Sequence, residues 1–287
     1  LSEMFAPSSL VMLQSCSPFQ PVLNIAGNLD CGVLFLCDHA RNVLPPEYED
    51  LGLPPEQFQR HIAYDIGAET MTRALAAHFH APAVLTTYSR LLIDPNRGGD
   101  DPTLVMRLSD GAIIPGNGYA DADEVAYRRA RFWQPYRDEV CAVLDAMLAT
   151  GVVPAIVSVH SFTNAWKGVP RPWHITVLWD RDYRMPKPFL QEVGREQDII
   201  GGDNEPYDGA LVGDTLHEHS TRRGLASLLL EVRQDLIGTE QGALTWAAHI
   251  ARWLTPVLAR EEVHQIRFFG SRGDGLRYQP PIPVHEI

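Results

Sequence analysis

The pattern that most constrains this chain is a short, uninterrupted apolar run that stops abruptly at a charged or imidazole side chain, and it occurs more than once. "VLFLCDHARN" (33–42) ends its run at Asp38 and His39, "VVPAIVSVHSF" (152–162) reaches His160, and "LASLLLEVRQDLI" (225–237) emits Glu231 and Arg233. Runs of this kind suit strands buried on both faces, the environment of a parallel sheet covered by helices. In an open α/β sheet, side chains just past the carboxyl ends of the strands line the crevice where ligands bind. The polar residues that close these runs are therefore the first candidates for chemistry.

Helical periodicity fills the gaps between the runs. Two Pro-Pro pairs in "LPPEYEDLGLPPEQFQ" enforce a loop, after which Phe58, Ile62, Ile66, Leu75 and Phe79 predict a helix from Glu56 to about His80. "APAVLTTYS" reads as a second strand. Residues 121–150 read as a long amphipathic helix interrupted near Pro135 and ended by Gly151. "WHITVLWD" is a further strand, and helices follow near 187–196 and 242–260, with "GDNEPYDG" as a turn-rich loop between them. Alternating strands and helices predict a three-layer α/β/α sandwich on a mostly parallel, mixed sheet. A single domain over 1–287 is expected, with residues 1–30 as an N-terminal arm or edge element and 265–287 as an extended, Pro-rich tail.

Composition excludes several partners. A net charge of −12 argues against nucleic acid, whose phosphates call for a Lys/Arg surplus. No apolar run approaches the roughly 20 residues of a membrane span. The opening "LSEMFAPSSLVML" lacks the basic and then apolar pattern of a secretory signal, so a cytoplasmic location is expected. It also lacks an initiator Met, so residues upstream are expected. Cys16, Cys31, Cys37 and Cys141 are scattered without a CxxC pair and read as reduced thiols rather than zinc ligands.

Two histidines at the ends of separate buried strands converge if the strands are neighbours, and such a pair suits Zn²⁺. A catalytic zinc site needs a third protein ligand and an open position. In "RHIAYDIGAE", His61 and Asp65 are spaced i,i+4, which puts them on one helix face beside Ile62 and Ile66. A carboxylate there must be paired, capped or metal-bound. Asp65 is the first choice for third ligand on charge grounds; Asn42, by its His-x-x-Asn spacing from His39, is the second, or an orienting group for substrate. A side-chain pair of His61 with Asp65 is the structural alternative. Glu231, leaving a buried strand, suits a general base, and Arg233, two residues on along the same strand face, is a candidate for binding substrate; a structural pairing of the two is the alternative. "YSRLLIDPNR" offers Arg90, Asn96 and Arg97 to a carboxylate, with Asp94 able to hold one arginine in place. A surface salt-bridge cluster is the plain alternative there. His78, His80, His217 and His219 are not expected to be ligands.

Taken in order, "CDHARNVLPPEYEDLGLP", "RHIAYDIGAE", "YSRLLIDPNR", "SDGAIIPGN", "HSFTNAWKGVPRPWHITVLWDRD", "GDNEPY" and "LLLEVRQDLI" resemble the N-formylglutamate amidohydrolase family from about Leu34 to Trp246. That family looks like a relative of zinc carboxypeptidases and aspartoacylases and shares their phosphorylase/hydrolase-like α/β fold. The resemblance implies one Zn²⁺ held by His39, His160 and a third ligand, with Glu231 as general base and Asn96-Arg97 gripping a substrate carboxylate. It also implies that Arg90 orients the substrate or polarises its carbonyl. The carboxypeptidase relatives open with His-x-x-Glu where this chain has His39-Ala-Arg-Asn42. The implied reaction is hydrolysis of a small anionic N-acyl amino acid, N-formyl above all. Another zinc amidase or carboxypeptidase, or a metal-free small-anion binding protein, is the alternative.

Overall fold

The structure is a computed structural model and describes residues 19–275. Seven strands form one sheet: β1 (Val22–Ile25), β2 (Val33–Cys37), β3 (Ala83–Thr86), β4 (Ala155–Phe162), β5 (Ile175–Leu178), β6 (Gly201–Asp203) and β7 (Ser227–Arg233). Their spatial order is β1-β3-β2-β4-β7-β5-β6. The central pairs β3-β2, β2-β4 and β4-β7 are parallel, as is β5-β6, whereas β1-β3 and β7-β5 are antiparallel. The sheet is thus mixed and mostly parallel, as the apolar runs predict. All five residues of β2 and all eight of β4 are buried.

Helices cover both faces. Successive side chains of a strand point to opposite sides. Val33, Phe35 and Cys37 of β2 accordingly join the core beneath α1 (Ala68–Phe79), α4 (Pro186–Val193) and α6 (Glu240–Leu258). Leu34 and Leu36 face α3 (Gln134–Leu148) through Tyr136, Val140, Leu144 and Met147, with Leu216 of α5 (Thr215–His219) beside them. The chirality rule explains the division. The β2-α1-β3 crossover moves one way along the sheet and the connection from β3 through α3 to β4 moves the other way, so right-handed connections place their helices on opposite faces.

Two helical expectations need adjustment. Residues 56–80 do not form one helix: the second Pro-Pro pair opens a short 3₁₀ turn, Pro55–Gln59, and α1 begins only at Ala68. Gly67 causes the break. Its φ is +81°, and a Cβ there would lie 2.4 Å from the Ile237 carbonyl oxygen, so the close approach of chain 237 fixes a non-helical turn. The helix over 121–150 is built from α2 (Ala122–Arg128), one π turn (Arg129–Trp133) and α3, whose second residue is Pro135. Within the opening segment, Val22–Ile25 form the edge strand β1, the edge element that the sequence offers as one of two expectations, and residues 1–18 lie outside the described residues. From Ile266 to Gly275 the tail has no helix or strand, and 276–287 lie outside the described residues.

Candidate active site

β2 is where the connections reverse: the chain leaves it towards β3 on one side and returns to pair with it as β4 on the other. Such a switch point opens a crevice at the carboxyl ends of the two strands. His39 lies two residues past the end of β2. On β4, Ser158 is the register partner of Leu36, so His160 stands one strand over at nearly the same height. On the far side of β4, Glu231 of β7 is the register partner of His160. The three runs singled out by their polar ends therefore meet at one place.

Asp65 completes a compact group. One ligand atom from each of His39, Asp65 and His160 lies within 4.8 Å of the others, and all three residues are buried. Asp65 Oδ2 is 2.8 Å from His160 Nδ1 and 3.5 Å from His39 Nδ1. The imidazole rings meet edge to face with centroids 5.0 Å apart. Asp65 arrives from an irregular turn and not from a helix face shared with His61. Its own N–H donates to the His39 carbonyl, 2.9 Å, which fastens the turn to the end of β2.

The far nitrogen of each imidazole rests on a buried carboxylate. His39 Nε2 lies 2.7 Å from Asp94 Oδ1, and His160 Nε2 lies 2.9 Å from Asp38 Oδ2. Arg90 fixes the tautomer of His39. Its NH1 sits 3.2 Å from Nδ1, and a guanidinium can only donate, so Nδ1 carries the lone pair and Nε2 the proton given to Asp94. A carboxylate behind a histidine is the usual way of orienting a metal-ligating imidazole. Charge points the same way. Asp38, Asp65 and Asp94 are all buried and only Arg90 among the bonded groups carries fixed positive charge. With neutral imidazoles the group keeps two negative charges, which a divalent cation would balance. Two imidazole nitrogens and one carboxylate oxygen also form a common donor set for catalytic zinc.

The protonation of the cation-free group reflects that surplus. Burial disfavours an Asp38 anion, yet hydrogen bonds from His160 and Thr215 and the nearby imidazoles hold its pKa down at about 2. Asp65 is likewise pulled well below the carboxylate range by His39 and His160 against its burial. Burial favours neutral His160, but Asp38 and Asp65 outweigh it and raise its pKa. Glu231 is the contrast. Burial dominates there and lifts the carboxyl to about 7, with Asp65 adding to the rise and His160, Arg171 and Arg90 opposing it. Its Oε2 is buried without a hydrogen-bond partner.

A cleft of ≈ 660 Å³ opens over this group. His39, Asp65, His160, Glu231, Arg90, Asn96 and Arg97 all line it, so seven of the nine residues predicted for the site come together. Arg90 directs Nε and NH2 to Asp94 Oδ2, at 3.1 and 2.6 Å, which leaves NH1 as the nitrogen beside the cluster. Arg97 is held by Thr103 Oγ1 and the Asn96 carbonyl rather than by a carboxylate. The Asn96 side-chain oxygen accepts the Thr215 N–H, which leaves its NH₂ as the donor end.

Asn42 and Arg233 are not among the residues lining the cleft. The Asn42 amide donates to the Phe58 carbonyl at 2.7 Å and so secures the 3₁₀ segment. Arg233 pairs with Asp235 and donates to the carbonyls of Arg171 and Trp173, in the segment leading into β5, which draws it away from the cleft. Sequence reasoning gave no role to Asp38 or Thr215 and did not foresee that Asp94 would hold His39 as well as Arg90. Asp38 had a readable signal, a carboxylate beside His39 at a strand end, and Ser158 gave another as a hydroxyl inside the apolar run of β4. Thr215 gave none.

The family model described as N-formylglutamate amidohydrolase matches residues 31–238. Among solved structures, the gene product Atu2144 from Agrobacterium tumefaciens is 30% identical, with a TM-score of 0.79 over 85% of this chain and 97% of that one. N-formylglutamate amidohydrolase from Ralstonia eutropha JMP134 is 22% identical, with a TM-score of 0.60 over 85% of this chain and 98% of that one, and shares the fold. No curated protein sequence matches significantly. With the family match spanning most of its length, the chain belongs to the N-formylglutamate amidohydrolase family and is a hydrolase acting on an amide bond.

Proposed function

We propose that this chain hydrolyses a small N-formyl acidic amino acid, N-formyl-L-glutamate being the model substrate, to formate and the free amino acid. His39, Asp65 and His160 would hold one zinc ion. The observation that carries the reading is their convergence, with both outer imidazole nitrogens on buried carboxylates and, in the same cleft, Glu231, whose Oε2 has no hydrogen-bond partner.

A divalent cation bound there supplies positive charge that acidifies water and polarises a carbonyl. The protein's own groups do the rest. Glu231, with a pKa near neutrality, accepts the proton of the attacking water and returns it to the nitrogen as the C–N bond breaks. Arg90 NH1 donates to the carbonyl oxygen as negative charge develops on it. Arg97 takes a substrate carboxylate in its planar fork and the Asn96 NH₂ adds a donor, which positions the formyl group over the cluster.

Metal analysis of the purified protein, paired with formate release from N-formyl-L-glutamate and N-formyl-L-aspartate and cleavage of an acylated dipeptide, tests the proposal. About one zinc per chain and preferential formate release from the acidic substrates are expected. A metal-free protein that releases no formate would remove the reading, and preferential cleavage of the dipeptide would make the chain a peptidase-like amidase.

A further inference from the structure

Thr215 opens α5 and is 1% exposed. Its hydroxyl donates to Asp38 Oδ1 at 2.7 Å, and its main-chain N–H donates to Asn96 Oδ1 at 3.1 Å. The other oxygen of Asp38 serves His160 Nε2 and the Ser158 hydroxyl, at 2.9 and 3.0 Å. One residue, distant in sequence from all of them, thus touches the carboxylate behind a histidine of the cluster and the amide beside Arg97. We propose that Thr215 is a positioning residue that sets the orientation of His160 through Asp38 and that of Asn96 through its main chain. The inference rests on the metal-dependent reading above and adds to it the residue that joins the two halves of the site.

Ser158 and His160 both bond to Oδ2, and turning Asp38 about its Cβ–Cγ bond would carry that oxygen away from them. The Thr215 hydroxyl, on Oδ1, is the further bond that pins the other end and so fixes the carboxylate plane. With the plane fixed, His160 keeps its Nε2 proton on Asp38 and its Nδ1 towards Asp65. The direct partner of a ligating histidine, here Asp38, is worth roughly 10- to 100-fold in metal affinity, and Thr215, one contact further out, is expected at the lower end of that range. The two contacts are chemically separable, because valine keeps the shape and the main-chain N–H of threonine while losing the hydroxyl.

Thr215→Val and Thr215→Ser are compared with the unaltered chain by Zn²⁺ competition against a chromogenic chelator, by ¹⁵N shifts of His160 in metal-free protein, and by kinetics at saturating zinc. The valine variant is expected to bind zinc about tenfold more weakly and to show a shifted His160 Nε2 resonance. Its KM for N-formyl-L-glutamate should stay within about twofold, because Asn96 keeps its amide contact, and the serine variant should restore zinc affinity. If the valine variant does not fold, Thr215→Ala removes the same hydroxyl without introducing a methyl group beside Asp38. A folded variant with unaltered zinc affinity and an unaltered His160 spectrum overturns the inference while leaving the metal site standing. An unaltered chain that binds no zinc overturns the metal-dependent reading and this inference with it.

Discussion

The two halves of the cleft are built on different principles. The half that holds His39, His160 and Glu231 sits on the ends of three adjacent buried strands, whose parallel register fixes the relative height of the side chains. The half that holds Asn96 and Arg97 is loop, and its geometry is imposed from outside. The Arg97 carbonyl accepts from Trp133 Nε1 at 3.0 Å and from Arg137 NH2 at 3.2 Å. Arg137 NH2 also reaches the Gly213 carbonyl at 2.6 Å, so one buried guanidinium, stacked 4.0 Å above the Trp133 ring, ties the two loops together. Sheet register gives rigidity at the reacting centre, whereas the clamped loops are the part that can vary to suit a substrate.

If that division is right, the strand half governs turnover and the loop half governs binding. Glu231→Gln should have the largest effect, lowering kcat by about 10²- to 10⁴-fold, the usual contribution of general acid–base catalysis. Zinc content should be unchanged, since Glu231 lies outside the His39-Asp65-His160 group. Formate release under single-turnover conditions, with metal analysis of the same sample, reads both quantities. Retained turnover would take the proton-transfer role away from Glu231. On the loop half, Arg97→Ala should raise KM by about 10- to 100-fold, the range expected for losing a charge-assisted hydrogen bond of about 1.5–3 kcal/mol, and should change kcat far less. A fall in kcat with KM unmoved would show that the loop half takes part in the chemical step and would erase the distinction.

The same division decided what could be read from the sequence. Apolar runs report strands directly, so His39, His160 and Glu231 were legible from the period-free runs "VLFLC", "AIVSV" and "SLLL" that precede them. Asp65 was chosen correctly as a member of the cluster but by a faulty route. The helix face invoked for it does not exist, because Gly67 interrupts the periodicity for a tertiary reason, the carbonyl of Ile237. Asn42 illustrates the opposite failure. Its spacing from His39 mimics a ligand motif, yet the loop turns its amide onto the Phe58 carbonyl. Arg233 shares a strand with Glu231 but lies two residues closer to the strand's end, where the carbonyls of Arg171 and Trp173 take up its donors. Thr215 reaches Asp38 across 177 positions, and no local pattern encodes such a contact.

A smaller test uses pH, and it concerns the seam between the halves. Asp214 lines the cleft and caps α5 by accepting the His217 N–H at 2.7 Å. Burial, reinforced by the negative charge of Asp38, lifts its carboxyl to about 7, although the His217 amide, Arg97 and Arg137 pull the other way. A carboxyl with a native pKa above its unfolded value binds its proton more tightly when folded. Its favourable contribution is therefore complete below about pH 4 and is lost as pH rises through 7. Asp214→Asn keeps the capping oxygen but cannot ionise, so it escapes that loss. Melting curves of the metal-free proteins should stay parallel below about pH 4, separate progressively as pH rises from there to about 7, and keep a constant gap above that. By pH 8 the variant should be favoured by about 2–4 °C, the shift that about 1 kcal/mol produces in a protein of this size. A constant offset from pH 4 to pH 8 would mean that Arg97 and Arg137 already neutralise Asp214. The seam would then be an ion-paired joint between the two halves rather than a buried acid.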